Sequence, residues 1–292
     1  MPEENLRALV LAGAPNRGKL AAAAPEMWEA LIPIGGRPMV LYVLDALWAA
    51  GNVESVVLVG PSDLDSFLTG YQNTGGAAVG SADGLPWLVR IDPGVSLMEN
   101  LRRGLEVLSS DRLLLVVTGD AVLLNGRVLR QFLSACWEAE RQAGREFEVF
   151  YPVVTRKGME RVLPAGRRTY VQLLDGEFTG GNIFLMRPSV VEKAGRILEE
   201  AIAARKKPWR LARLFGWRFL LALARRRLRI ASVEQVVADR FGISGKAIVL
   251  EEAAIGFDVD KPVDLAMARE LLASSRGGGN APAGATPRSS NL

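Results

Sequence analysis

The feature that most constrains this chain is a succession of short, nearly uninterrupted apolar runs separated by stretches with helical spacing. Ala8–Ala12, Ser55–Gly60, Trp87–Ile91, Leu113–Thr118, Phe147–Val154, Tyr170–Leu174 and Asn182–Met186 read as strands. Such continuous apolarity implies burial on both faces. Between them Met39–Ala50, Ser96–Leu108 and Val128–Arg141 carry apolar residues at helical spacing, with Pro38 suited to a first turn and Gly51 to a C-cap. Strand, helix and strand in succession predict right-handed crossovers and a mostly parallel sheet with helices on its faces. After Pro188 the pattern turns to two or three helices through about Phe241, then a strand at Ala247–Glu251 and a last helix over Pro262–Leu272. The expected organisation is a core of residues 1–190 and 245–274, a helical insertion or lid over 191–244, and a disordered Gly/Ala/Ser/Pro tail over 275–292.

Composition removes whole classes of chemistry. The chain has 292 residues, no histidine and one cysteine, Cys136, so histidine acid/base catalysis, histidine metal sites and an internal disulfide are excluded. Carboxylates, lysine, arginine, backbone amides and a hard metal ion are what remain. No run approaches the roughly 20 apolar residues of a membrane span. The first residues, with Glu3 and Glu4, lack the basic region of a signal peptide, and a soluble, cytoplasmic protein is expected.

The net charge of +4 conceals a strong asymmetry. Ten basic residues and no acid lie between Ala201 and Val233, which leaves −6 on the remainder. Basicity confined to one segment, without a groove-wide distribution, argues against a nucleic-acid partner. Its aromatics, Trp209, Phe215, Trp217 and Phe219, admit a membrane-surface contact. The favoured expectation is intramolecular docking, with Leu211, Leu214, Phe215 and Leu221 buried and the arginines in water.

Ligands of an open parallel sheet sit beyond the carboxyl ends of its strands. Four strand ends carry suitable chemistry. In "LVLAGAPNRGKL", residues 9–20, Gly13 admits close backbone approach and Arg17 and Lys19 can balance phosphate charge, although neither a Walker ending nor a dinucleotide fingerprint is present and an ordinary turn would read the same. In "LLLVVTGDAVLL", residues 113–124, Thr118, Gly119 and Asp120 close a strand, and Asp120 is either a Mg²⁺ ligand or a turn aspartate. In "IGFDVDKPVDL", residues 255–265, Asp258 and Asp260 alternate, so one can meet a ligand while the other caps the following helix. In "FTGGNIFLM", residues 178–186, Gly180, Gly181 and Asn182 suit ligand hydroxyls or a bare turn.

Together these stretches resemble the MobA-like nucleotidyltransferases of the glycosyltransferase-A type. The resemblance rests on the Leu-Ala-Gly loop, "LIPIGGRPMVLYVLDAL", "SLMENLRRGL", "TGD", "TGGN" and "DVDKPVDL", and covers roughly residues 5–190 and 245–272. It implies a three-layer, Rossmann-like, mostly parallel sheet with a helical insertion, and transfer of an NMP group from an NTP to a phosphorylated acceptor with release of pyrophosphate. It implies that Leu11, Ala12, Gly13, Ala14, Asn16, Gly18, Asn100 and Gly119 bind the nucleotide and that Lys19 and Arg17 clamp the triphosphate. Asp120 and Asp260 would hold Mg²⁺, with Gly180, Gly181 and Asn182 toward a small phosphorylated acceptor such as a sugar or cofactor phosphate. Two positions depart from the family pattern: Gly18 stands where an arginine is common, and Glu29 where a lysine is usual. Pro15 also removes one N–H from the loop. Glu29 keeps open an alternative, a non-catalytic nucleotide or nucleotide-sugar binding protein of the same fold.

Overall fold

A computed structural model describes residues 5–73, 87–109, 111–163, 168–193, 195, 200 and 214–277. The chain runs through β1 (Leu6–Leu11), a hairpin of β2 (Pro33–Ile34) and β3 (Arg37–Pro38), α1 (Met39–Ala50), β4 (Val53–Val59), α2 (Asp65–Asn73), β5 (Leu88–Ile91) and α3 (Leu97–Leu108). It continues through β6 (Leu114–Thr118), α4 (Gly126–Ala143), β7 (Val149–Thr155), α5 (Arg156–Val162), β8 (Val171–Leu173), β9 (Gly176–Gly180) and β10 (Ile183–Met186). Helices Trp217–Ala224 and Ile230–Phe241 precede β11 (Gly245–Leu250), a short helix Ala253–Gly256 and the helix Pro262–Gly277.

Nine strands form one sheet in the order β5-β4-β1-β6-β10-β7-β9-β8, with β11 also paired to β7. β5, β4, β1 and β6 are mutually parallel and β11 is parallel to β7, while β9 and β10 run against their neighbours. The expected mostly parallel α/β sheet is therefore the one observed, with β9 and β10 as its antiparallel members. Strand β9 is such a case: the expectation placed a loop at "FTGG", but Gly176, at φ 140°, turns the chain into an antiparallel partner for β8.

Alternate residues of each central strand face opposite layers. Ala8, Val10, Val56, Leu58, Leu115 and Val117 pack with α1 and α4 in one core. Leu9, Val57, Leu114 and Val116 pack with Met98, Leu101 and Leu108 of α3 in the other. Cys136 is buried in the first core and burial pushes its thiol pKa far up, so it is not a nucleophile.

The described part of the insertion docks through Val237 and Phe241 on the α3 side of the sheet. Asp175 pins it by accepting from Arg229 Nη1 at 2.9 Å and from the Ile230 amide at 2.6 Å. Phe215 stacks on Phe219 and meets Phe241 edge-on. Leu221 does not follow the expectation: it is 51% exposed and Trp217 69%, because the short helix turns Phe219 toward Phe215 and leaves the 217/221 stripe outside. Trp209, Leu211 and the basic residues from Arg205 to Arg213 lie outside the described residues. So does the expected tail from 278 onward, whereas 275–277 extend the last helix.

Candidate active site

The sheet winds outward in two directions from the β1/β6 pair, which makes their carboxyl ends a switch point where a crevice opens. The two strand-end loops touch. The Gly119 amide donates to Leu11 O at 2.9 Å, and a Cβ on Gly119 would sit 3.0 Å from the Ala12 methyl, so a small residue is required there. Beside this junction lies a cavity of about 500 Å³ walled by Leu11, Gly13, Ala14, Arg17, Trp28, Ser96 and Asn100, among others. Gly13 has no room for a side chain: a Cβ would lie 2.4 Å from Pro93 Cβ and 2.9 Å from Asn100 Nδ2.

The loop after β1 folds back on itself. Asn16 donates through Nδ2 to Ala24 O and Glu26 O at 3.0 and 2.9 Å, its amide donates to Met27 O, and the Glu29 amide donates to Ala14 O at 3.1 Å. Asn16 is thus a staple of the loop and not part of the cavity wall, unlike its expected nucleotide contact. Arg17 lines the cavity; Gly18, at φ 118°, and Lys19 stand exposed beside it. Past the loop, Gly35 and Gly36, at φ 56° and 78°, make the two-residue turn between β2 and β3. The Met39 amide returns to Ile32 O at 3.0 Å, which fixes the turn Glu29–Leu31 that carries Glu29.

Glu29, Asp120 and Asp260 share one electrostatic neighbourhood. Burial, then the charges of Asp120 and Asp260, push the Glu29 carboxyl up to about 7. Burial also raises Asp120, with Asp260 adding to the shift, and Asp120 Oδ1 is fully enclosed with no hydrogen-bond partner. The Val259 amide donates to Asp120 O at 3.3 Å, which draws the segment 258–260 to the end of β6. Alternation along that segment separates its two acids as expected, but the cap differs. Asp258 pairs with Arg168, whose Nη2 also reaches Asp258 O at 2.9 Å. The helix start is served by Asp264, whose Oδ2 accepts from the Lys261 amide at 3.0 Å.

Arg168, missed from sequence, is the cation of this cluster. Its guanidinium lies over the Phe257 ring and is influenced by Asp264, Asp120 and Asp260. Nothing in "GRRTY" distinguishes it from its neighbour Arg167. Among the described residues no group of three or more carboxylate or thiol side chains is placed to hold a metal ion. The two-carboxylate arrangement that Mg²⁺ accepts, completed by phosphate and water oxygens, needs only Asp120 and Asp260. The orphaned, enclosed Asp120 oxygen fits that role.

Asn182, Gly180 and Gly181, expected to face an acceptor, make packing contacts. Asn182 accepts from the Thr118 amide through its carbonyl and donates its own amide to Ile255 O at 2.9 Å. A Cβ on Gly180 would strike the Tyr151 hydroxyl and one on Gly181 would lie 2.6 Å from Ile255 Cγ2. These residues join β6 to the 253–256 helix and so help to place Asp120 and the 258–260 segment. A larger surface groove, about 610 Å³ beside α5, is lined by Arg156, Glu160, Glu177, Arg161 and Glu251, which neutralise one another in ion pairs of 2.6 to 2.8 Å. It contains none of the residues at the β1 or β6 ends.

The fold and this crevice, with Arg17 on its wall and Asp120 at a strand end beside the 258–260 segment, are those of the α/β nucleotidyltransferase class. The chain belongs to the MobA-like NTP transferase domain family, whose model matches residues 8–207. A solved hypothetical transferase from Thermus thermophilus is 34% identical, with a TM-score of 0.70, over 89% of this chain and 99% of that one. The fold is shared by CMP:2-keto-3-deoxy-manno-octonic acid synthetase complexed with CTP, at 14% identity and TM-score 0.58 over 93% of this chain and all of that one. It is also shared by 4-diphosphocytidyl-2C-methyl-D-erythritol synthase from Anaerococcus prevotii, at 10% identity and TM-score 0.55 over 93% and 99%. No curated protein matches the chain. No helix among the described residues is long and apolar enough to cross a membrane.

Proposed function

We propose that this protein transfers an NMP group from an NTP to a small phosphorylated acceptor and releases pyrophosphate. The observation that carries the reading is the meeting of the β1 loop, which walls the cavity, with Asp120 and the Asp260 segment at one switch point. The nucleotide occupies the cavity that Gly13, Trp28, Ser96 and Asn100 line. Arg17, with Lys19 on the rim, draws the triphosphate inward and neutralises the charge that moves onto the leaving pyrophosphate. Asp120 and Asp260 would hold Mg²⁺, which would supply Lewis-acid stabilisation of phosphate charge. A phosphate oxygen of the acceptor attacks the α-phosphorus in line and the bond to the β-phosphate oxygen breaks. An acceptor phosphate is already ionised at neutral pH, so the step needs positioning more than a general base, which suits a chain without histidine.

Glu29 favours a second reading, a nucleotide or nucleotide-sugar binding protein without turnover, because its carboxyl faces the same two aspartates. Incubating the purified protein with each NTP and Mg²⁺ against a panel of sugar and cofactor phosphates, with pyrophosphate as readout, separates the two. Pyrophosphate formed only when an acceptor is present supports transfer; nucleotide binding without it supports the second reading.

A further inference from the structure

We infer that the outward face of the helix Trp217–Ala224 docks this protein on an anionic phospholipid surface. The inference concerns the insertion alone and is independent of the crevice at the β1 and β6 ends. The inner side of this helix is already committed: Phe219 stacks on Phe215, which meets Phe241 edge-on, and Val237 and Phe241 pack on the α3 side of the sheet. The outer side is not. Trp217 is 69% exposed and Leu221 51%, and Ala224 is exposed with them. Spacings of four and three residues put the three on one stripe, an apolar surface left in water that a partner would cover. The stripe is held in place from its far end, where the Leu174 amide donates to Leu228 O at 2.8 Å and Asp175 accepts from the Ile230 amide at 2.6 Å.

The charges around the stripe select the partner. Arg218 and Arg225 are seven residues apart, so they share one flank of the helix, about a quarter turn from the stripe. Both are exposed, as is Arg227, and none of the three is in an ion pair among the described residues. Elsewhere exposed arginines find carboxylates, as Arg127 does in Glu252, Arg156 in Glu177 and Arg161 in Glu251. From Leu214 to Val233 the sequence holds five arginines and no acid. An exposed indole beside unpaired guanidinium groups suits the headgroup boundary of a bilayer, where the ring enters the acyl edge and the arginine heads stay with lipid phosphates. A folded protein partner would need a shaped patch of roughly 800 Å² a side, which one short helix with two large apolar residues does not supply. A lipid surface needs no such shape. The contact is peripheral, since this helix has 8 residues and a span needs about 20.

Flotation of the full chain with vesicles of phosphatidylcholine alone, and of equimolar phosphatidylcholine and phosphatidylglycerol, tests this. Wild type should float with the anionic vesicles at low salt, stay behind with the neutral ones, and be released at high salt. Two paired variants assign the binding to this face. Trp217→Ser with Leu221→Ser, and Arg218→Gln with Arg225→Gln, should each lower partition into anionic vesicles by about tenfold or more. All four residues are exposed, so the fold should survive, which circular dichroism checks; if one pair does not fold, the other decides. No flotation with anionic vesicles, which would turn the search to an acidic protein, overturns the inference. So does equal flotation with neutral vesicles, or wild-type flotation by a folded variant pair, which would place the binding on cations elsewhere.

Discussion

The Val259 amide donates to the carbonyl oxygen of Asp120 at 3.3 Å, which ties the end of β6 to the segment carrying Asp258 and Asp260. The contact brings together residues far apart in sequence, and it does so through backbone, so the two aspartates stay neighbours whatever their charge state. Their mutual repulsion is then a cost held by the fold, which a bound cation would relieve.

Asp120→Asn is expected to reduce turnover by roughly 10²- to 10³-fold, the range for loss of a directed electrostatic contact in a transition state. It should not lower the melting temperature, because the variant removes an enclosed charge that has no hydrogen bond on Oδ1. A large loss of stability in thermal unfolding would make Asp120 a structural residue.

Glu29 gives a pH dependence of defined sign. Its carboxyl titrates near 7 in the folded chain against 4.5 when unperturbed, so between those values the folded state holds the extra proton and stability falls as pH rises. The raised Asp120 acts in the same sense. Glu29→Gln should flatten the stability profile over that interval and melt above the wild type at pH values past 7. Superimposable profiles would show that Glu29 does not feel the aspartates.

Arg17 and Lys19 stand differently at the cavity and should separate in binding. Arg17→Ala is expected to weaken NTP affinity by about 1–3 kcal/mol, the range for a charge-assisted hydrogen bond. Exposed Lys19 lies outside the cavity wall, and Lys19→Ala should cost less. Calorimetry that finds the reverse order would move the triphosphate to the outer side of the loop.

Arg168→Leu removes the cation that pairs with Asp258 and lies among the acids of the cluster. Stability at pH 7 should fall by about 1–3 kcal/mol, as for a charged hydrogen-bond partner lost from a half-buried pair. Millimolar Mg²⁺ or acidic pH should restore part of it, since each reduces carboxylate repulsion. A loss that neither condition restores would make Arg168 a packing residue over Phe257.

The central strands and the helices α1, α3 and α4 were legible because continuous apolar runs and helical spacing each answer to one physical period. Gly13, Asp120 and Asn100 were legible as strand-end or helix-start residues, and the fold places them at those ends. β9 was not, because its glycines read as a turn until Phe178 and Thr179 are seen paired with β7. Asn16 read as a ligand contact because a loop asparagine looks the same whether its amide faces a phosphate or its own backbone. Arg168 and the true helix-capping role of Asp264 depend on which side chains a tertiary fold brings near Asp258 and Lys261, and no local pattern encodes that.

The most direct measurement is single-turnover pyrophosphate release with a preferred NTP, an active phosphorylated acceptor and Mg²⁺, comparing wild type with Asp260→Asn. Nucleotidyl transfer at the β1/β6 crevice predicts acceptor-dependent pyrophosphate, formed in equal amount with the NMP-acceptor product and nearly abolished in the variant. Tight NTP binding with no pyrophosphate from any acceptor, or equal release by Asp260→Asn, would contradict it.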